Sequence, residues 1–315
     1  MCTAITYYTN HSFFGRNLDY EHGFDEKVLI TPRNCSIKLK NGLNIQTHHA
    51  IIGIGIEINN YPLYFDAMNE HGLGIAGLNF PDNAYYYDPF LYPDGIAPYE
   101  LIPLLLSKNK TVNEAVEMLR SLKIINKPFS PELAISELHW MIADKNKSVV
   151  IEQTAQGLQI YDNPIGVLTN NPPFSYHIYN LSNYINITSQ EATNRFAPNE
   201  AIQPYSRGMG GIGLPGDNSS ASRFVRAAFT KLNSPKDLDI TASIVQFFHI
   251  MNSVYQVDGC TKVGKQYEKT IYTSCCSLDE GKYYYTTYNN LQINCVNMHE
   301  YDLYGTELES IDLIR

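Results

Sequence analysis

The second residue of this chain is a cysteine, directly behind Met1. An initiator methionine is removed when the next residue is small, so Cys2 is expected to become the first residue of the mature chain. It would then carry a thiol and a free α-amine on one carbon. An α-amine titrates near ~7.7–8.0, close to working pH, and can move a proton to and from a reacting thiol. Nucleophile and base would be supplied by one residue. A Met-Cys start also arises by chance, so the chemistry depends on what surrounds it.

The alternating runs 2–8 and 13–20 flank the polar turn Thr9-Asn10-His11-Ser12 and predict a hairpin. With the turn centred between Asn10 and Ser12, paired positions sum to about 21, which sets Cys2 opposite Asp19. A carboxylate there could hydrogen-bond the α-ammonium, and Arg16 one step away could favour the thiolate by its charge. Period-2 alternation places residues 16 and 19 on opposite faces, so both serve one site only with a bulge or a bent strand end. An edge ion pair between Arg16 and Asp19 is the plainer alternative.

Other positions could complete such a site. Asn79 follows the apolar strand 74–78, and Asn171 follows 166–170 just before Pro172-Pro173. An asparagine at a strand end can aim its amide or its backbone N–H into a cleft, or simply terminate the strand. Arg223 falls in the first turn of the clearest helix, off its apolar stripe, where a cation opposes the macrodipole. The run Gly208-Met209-Gly210-Gly211-Ile212-Gly213 matches G-x-G-x-x-G by letter. No strand leads into it, and Pro215-Gly216-Asp217 separates it from the next helix, so it is expected to be a flexible loop and no phosphate cradle. Nine histidines include no H-E-x-x-H, and six cysteines no C-x-x-C. Neither a metal nor a disulfide framework is expected.

The elements that would hold these residues are strands at both ends and helices between. Strands are expected at 50–58, 63–67, 73–78, 138–143, 148–153, 158–161 and 166–169, and a C-terminal meander at 270–277, 282–288 and 292–297. A capping box at Thr111 and Glu114 opens one helix. A second starts near Ser219 or Ser220 with apolar residues at 221, 224, 225, 228, 229 and 232. A third, 241–254, is apolar nearly all round and is expected to be sandwiched. Strands, helices and strands again imply an α+β layered domain and no βαβ alternation. With no repeat, linker or low-complexity tract, one domain over 1–315 is expected, although 315 residues would allow two.

Composition narrows the partners. Lys and Arg number 23 against 32 Asp and Glu, net −9, a field that repels nucleic acid. No window nears the ~18 apolar residues of a membrane span. The opening segment lacks the basic and apolar regions of a secretory signal, so a cytoplasmic location with reduced thiols is expected.

Met1-Cys2-Thr3 with Phe14-Gly15-Arg16-Asn17-Leu18-Asp19 resembles the choloylglycine hydrolase family, which contains bile salt hydrolases and penicillin V acylases. The resemblance continues through 61–70, Gly77-Leu78-Asn79-Phe80, Leu138-His139-Trp140, 168–172 and 211–217 with Ser222-Arg223-Phe224. It implies an N-terminal-nucleophile hydrolase with an αββα four-layer sandwich. It assigns Cys2 as nucleophile, Arg16 and Asp19 beside thiol and amine, Asn79 and Asn171 at the oxyanion, and Arg223 as a charged support. Asn79, where penicillin V acylases often carry Tyr, points to the bile salt hydrolases, with penicillin V acylase as the alternative. The substrate implied is a steroid acid in amide linkage to glycine or taurine, cut without metal or organic cofactor. The pocket positions implied are Leu18, Tyr20, Phe24, Ile58, Phe65, Phe129, Leu133 and Leu138. A homotetramer is implied too, with residues around 185–215 reaching a neighbour.

Overall fold

The computed structural model describes residues 1–315. The N-terminal alternation forms the antiparallel pair β1 (Cys2–Tyr8) and β2 (Ser12–Tyr20). Next come β3 (Lys27–Thr31), the short strands β4 (Ile37–Lys38) and β5 (Asn44–Ile45), then β6 (Ile51–Ile58), β7 (Tyr61–Asn69) and β8 (Gly74–Asn79). Helices α1 (Leu101–Lys108) and α2 (Val112–Ser121) lead into β9 (Leu138–Ala143), β10 (Ser148–Thr154), β11 (Gly157–Asp162) and β12 (Val167–Leu168). Helices α3 (Phe174–Asn180), α4 (Ser220–Asn233) and α5 (Ile240–Asn252) follow. The chain closes with β13 (Thr261–Val263), β14 (Gln266–Ser277), β15 (Lys282–Thr287), β16 (Asn294–Asn297) and β17 (Glu309–Asp312).

Two large sheets result. One runs β12-β1-β2-β14-β15-β16, with β13 added on β14, and the other runs β11-β10-β9-β8-β7-β6-β3-β17. Apolar residues occupy both faces of the second sheet. Ile52, Ile54, Ala76 and Met141 face the first sheet's core, whereas Ile51, Ile75 and Ile142 join Leu101, Leu105 and Val112 of α1 and α2. Period-2 geometry thus sends alternate side chains into two cores, and strands buried on both faces read as continuous apolar runs. Helices α4 and α5 pack on β1, β2 and β14 of the first sheet. The layers are therefore helix, sheet, sheet, helix, as the resemblance implied.

Several expectations need correction. The hairpin turn is Thr9-Asn10-His11, with Tyr8 paired to Ser12, so paired positions sum to 20 and Cys2 faces Leu18 rather than Asp19. Helix α1 was not expected, because Leu101-Ile102-Pro103-Leu104-Leu105-Leu106 is apolar on every side and shows no period. Pro103 is tolerated there because it lies in the first turn. Strands β3 and β17 were not expected either. Helix α5 forms an outer layer with Val245 and His249 exposed, and is not sandwiched. In α4 the buried face takes in Arg223 and Lys231, while Leu232 is exposed. Thr111 caps α2 through Glu114 N–H, but the Glu114 carboxylate accepts from Lys110 N–H instead of completing the box.

Candidate active site

Cys2 opens β1, and its side chain points into the gap between the sheets, where it is 3% exposed. Arg16 lies on the same face of β2, opposite Ala4. Its Nη2 donates to Cys2 Sγ, and its Nη1 donates to the carbonyls of Phe65 on β7 (3.2 Å) and Gly77 on β8. The second sheet therefore clamps the guanidinium that touches the sulfur. Burial opposes the Arg16 charge, but Cys2, Tyr272, Asp66 and Asp19 outweigh it and hold the guanidinium above its ordinary value. Gly15 permits this geometry, since a Cβ there would lie 2.0 Å from Ser274 O on β14.

Asp19 is on the other face, and no bulge in β2 brings it round. Its backbone pairs with Met1: Asp19 N–H donates to Met1 O (2.9 Å), and the terminal amine donates to Asp19 O (2.7 Å). Buried Glu268 on β14 forms an ion pair with the same amine. Asp19 Oδ1 accepts from Thr270 Oγ1 (2.6 Å), and Oδ2 is buried without a partner. Burial pushes the Asp19 carboxyl up, against the opposing pull of Arg223 and the terminal amine. The conflict over opposite faces thus resolves simply. Arg16 attends the sulfur between the sheets, while Asp19 attends the nitrogen end of the strand.

The asparagines divide differently from expectation. Asn79 ends β8 beside the cavity described below, and its side-chain amide has no protein partner. Asn171 instead donates from Nδ2 to Pro81 O (2.6 Å) and makes no hydrogen bond to Cys2. Its neighbour Asn170 is the asparagine that reaches Cys2: Oδ1 accepts from Cys2 N–H (2.8 Å) and from Arg223 Nη2 (2.8 Å), and Nδ2 donates to Asn79 O (2.7 Å). The reason is register. Strand β12 pairs Leu168 with Ala4, and two more antiparallel steps bring residue 170, not 171, to Cys2. The residue type and strand end were visible in the sequence, whereas the parity was not.

Arg223, fully buried, donates from Nη1 to Cys2 O and Thr3 Oγ1 (2.7 Å), and from Nε to Asn218 O (3.0 Å). A cation disfavoured by its helix is thus held by acceptors from β1 and from Asn170. Burial pulls its pKa down, with Asp19 and Cys2 opposing. Behind Asn170, His177 Nε2 bonds its carbonyl (2.8 Å), and the ring stacks on Phe224 at 4.9 Å. Burial lowers the His177 pKa to about 4, so the ring stays neutral. His139 and Glu152 brace the adjoining Thr169 carbonyl and Phe174 N–H. Of His177, His139 and Glu152, only His139 lies in a segment that carries the resemblance, Leu138-His139-Trp140.

A cavity of about 450 Å³ adjoins Asn79. Tyr20, Phe24, Phe65, Phe129, Leu133 and Leu138 line it as expected. Leu18 and Ile58 do not: Leu18 is core beside Cys2, and Ile58 pairs with Tyr61 beside the β6–β7 turn. Leu63, Tyr64, Tyr99, Ile102, Ile135 and Trp140 are additional apolar walls, and Lys127 is the cation among the lining residues. The glycine-rich segment 208–213 holds only one short helical turn at Met209–Gly211, away from any strand–helix junction. His49, Glu70 and His71, with ligand atoms within 4.8 Å of one another, are the group that could approach a metal. Both Glu70 oxygens are already engaged by Arg33, and Oε1 also by Ala50 N–H.

A sequence model described as linear amide C–N hydrolases, choloylglycine hydrolase family, matches residues 2–313. The chain belongs to the choloylglycine hydrolase family. Among its relatives, a bile salt hydrolase/transferase of Lactiplantibacillus plantarum is 50% identical over 99% of this chain and 97% of its own. A conjugated bile acid hydrolase of Lactobacillus gasseri is 36% identical over 95% and 96%. The structure superposes on a conjugated bile acid hydrolase from Clostridium perfringens with TM-score 0.93 and 36% identity, covering 100% and 97% of the two chains. A penicillin V acylase from Agrobacterium tumefaciens shares the fold at TM-score 0.78 and 19% identity, over 99% of this chain and 91% of that one. This family member is accordingly an α+β N-terminal-nucleophile hydrolase fold.

Proposed function

We propose that this choloylglycine hydrolase family member cleaves the amide joining a steroid acid to glycine or taurine, with Cys2, freed of Met1, as nucleophile. The observation that carries this reading is Cys2 Sγ held by Arg16, whose other guanidinium nitrogen donates to the carbonyl of Phe65 in the wall of an apolar cavity adjoining an unpartnered Asn79 amide. The sulfur attacks the amide carbon, and the Asn79 side chain and nearby backbone N–H groups hold the tetrahedral oxyanion. One such donor is worth ~2.7–4 kcal/mol of barrier. The α-amine of the freed Cys2, whose nitrogen donates to Asn170 Oδ1 at 2.8 Å, passes its proton to the departing amino acid. Water then hydrolyses the thioester, and the amine accepts the proton again. Asn170 and Arg223 keep the first strand in place for both steps. A net charge of −9 repels an anionic conjugate at long range, and the two buried arginines offset that at the site.

The whole of residues 1–315 is taken as one domain, because its first and last strands belong to the two shared sheets. A homotetramer fits the exposed apolar residues Ile185, Phe196, Ile202 and Tyr205 on the long segment before α4. No helix is long and apolar enough to cross a membrane. A cytoplasmic setting suits a chain whose six cysteines are all unpaired.

Product release from glycocholate, taurocholate and penicillin V tests the reading, using wild type and Cys2→Ser together with intact mass. Expected are loss of Met1, faster turnover of the conjugates than of penicillin V, and a fall of at least about a thousandfold in the variant. Retained Met1 in a fully active chain, or full activity of Cys2→Ser, would overturn it. Turnover confined to penicillin V would move the assignment to that acylase.

A further inference from the structure

Asp66 is a fully buried carboxylate that the mechanism above does not use. It lies on β7, facing β14 and β15 of the first sheet. Tyr272 Oη donates to its Oδ1 at 2.5 Å, and Ser274 Oγ at 2.8 Å and Tyr283 Oη both donate to its Oδ2. No cation touches it. Its link is to Arg16, from two sides. Ser274 Oγ, which donates to Asp66, accepts from Arg16 N–H at 3.2 Å. The carbonyl of Phe65, the residue bonded to Asp66, accepts from Arg16 Nη1 at 3.2 Å.

Burial pushes the Asp66 carboxyl up, and Arg16 with the three hydroxyl donors pulls against it. Both tyrosine hydroxyls have Asp66 as their hydrogen-bond acceptor, and the Ser274 hydroxyl has already accepted from an amide. All three therefore present protons, which an ionised carboxylate can accept and a protonated one cannot fully match. Arg16 and Arg223 bring two buried positive charges to Cys2, against the buried carboxylates of Asp19 and Glu268. Asp66 is the carboxylate tied to Arg16 itself, through Ser274.

We propose that Asp66 is the counter-charge of Arg16, a positioning residue that sets the pH range in which the Cys2 thiol and amine work. This rests on Cys2 being the nucleophile. From its own strand pair Cys2 faces Arg16, Asp19 and Tyr20, and α4 contributes Arg223. Strand β14 places Glu268 at the terminal amine and Tyr272 and Cys276 around Asp66, β15 adds Tyr283 there, and Glu26 lies beyond Tyr272. Burial and like charge keep the tyrosines and Cys276 neutral. Removing the Asp66 charge makes the potential at Arg16 and Cys2 more positive, which favours thiolate and deprotonated amine at lower pH.

The test is Asp66→Asn in the mature enzyme, with two profiles recorded against pH. One is kcat/KM for glycocholate, and the other is the rate of Cys2 alkylation by iodoacetamide, followed by peptide mass. The acid limbs of both should move down together by roughly half to one pH unit. If that variant does not fold, Asp66→Ser also removes the charge while keeping a hydroxyl among the three donors, and it should move both limbs the same way. Unmoved limbs in whichever variant folds, with activity merely scaled down, overturn the proposal and leave Asp66 a packing residue. Failure of the underlying reading looks different, since wild type would then lack Cys2 alkylation coupled to loss of hydrolysis.

Discussion

Replacing Asn170 by alanine separates the arrangement in the structure from the one the sequence suggested. The side chain is 5% exposed and makes three hydrogen bonds, to Cys2 N–H, to Arg223 Nη2 and to Asn79 O. Alanine leaves the buried Cys2 nitrogen, the α-amine once Met1 is removed, and one Arg223 donor unpaired. Each loss costs ~1–3 kcal/mol, with the charged donor toward the upper end. Where those groups set the positions of the sulfur and of Asn79, the barrier should rise by ~2.7–4 kcal/mol, or about 10²–10³ in kcat/KM. Asn171→Ala removes one bond to Pro81 O from a half-buried side chain, worth ~0.5–1.5 kcal/mol, and touches neither Cys2 nor Arg223. Its kcat/KM should stay within about threefold of wild type. Steady-state rates on glycocholate, with thermal melts to confirm folding, decide between them. A loss in Asn171→Ala equal to or larger than that in Asn170→Ala would refute the register on which the site is built.

Two further outcomes follow from packing and protonation. Gly15→Ala places a methyl 2.0 Å from Ser274 O, and backbone against backbone cannot yield, so urea unfolding should show a loss of about 3 kcal/mol or more. His177 holds a pKa of about 4 in the fold against ~6.5 unfolded, so between these values only the unfolded chain takes up the proton. Its contribution is complete above pH ~6.5 and declines by about 3 kcal/mol as pH falls to 4. Urea midpoints of wild type and His177→Gln should converge over that window, and parallel curves would show that the ring is not buried neutral.

What the sequence settles is what depends on local periodicity and residue type. Alternation around Thr9-Asn10-His11 specifies the first hairpin, and Ser219 ahead of an amphipathic run starts α4 where the side chain accepts from Ser222 N–H. Residue types in order along the chain likewise carry the family. Apolar runs without period hid α1, and a burial pattern interrupted by Arg223 and Lys231 misplaced the inner face of α4. Strand pairing between distant segments is the deeper gap. A one-residue shift turns every side chain to the other face, and nothing local to residues 167–171 records which of two adjacent asparagines meets Cys2. Only the packed sheets decide that Asn170 reaches the first strand, that Leu18 stands where Asp19 was expected, and that the unremarked Asp66 lies behind Arg16. Burial and register are properties of the assembled layers, so they exist only once the chain has folded.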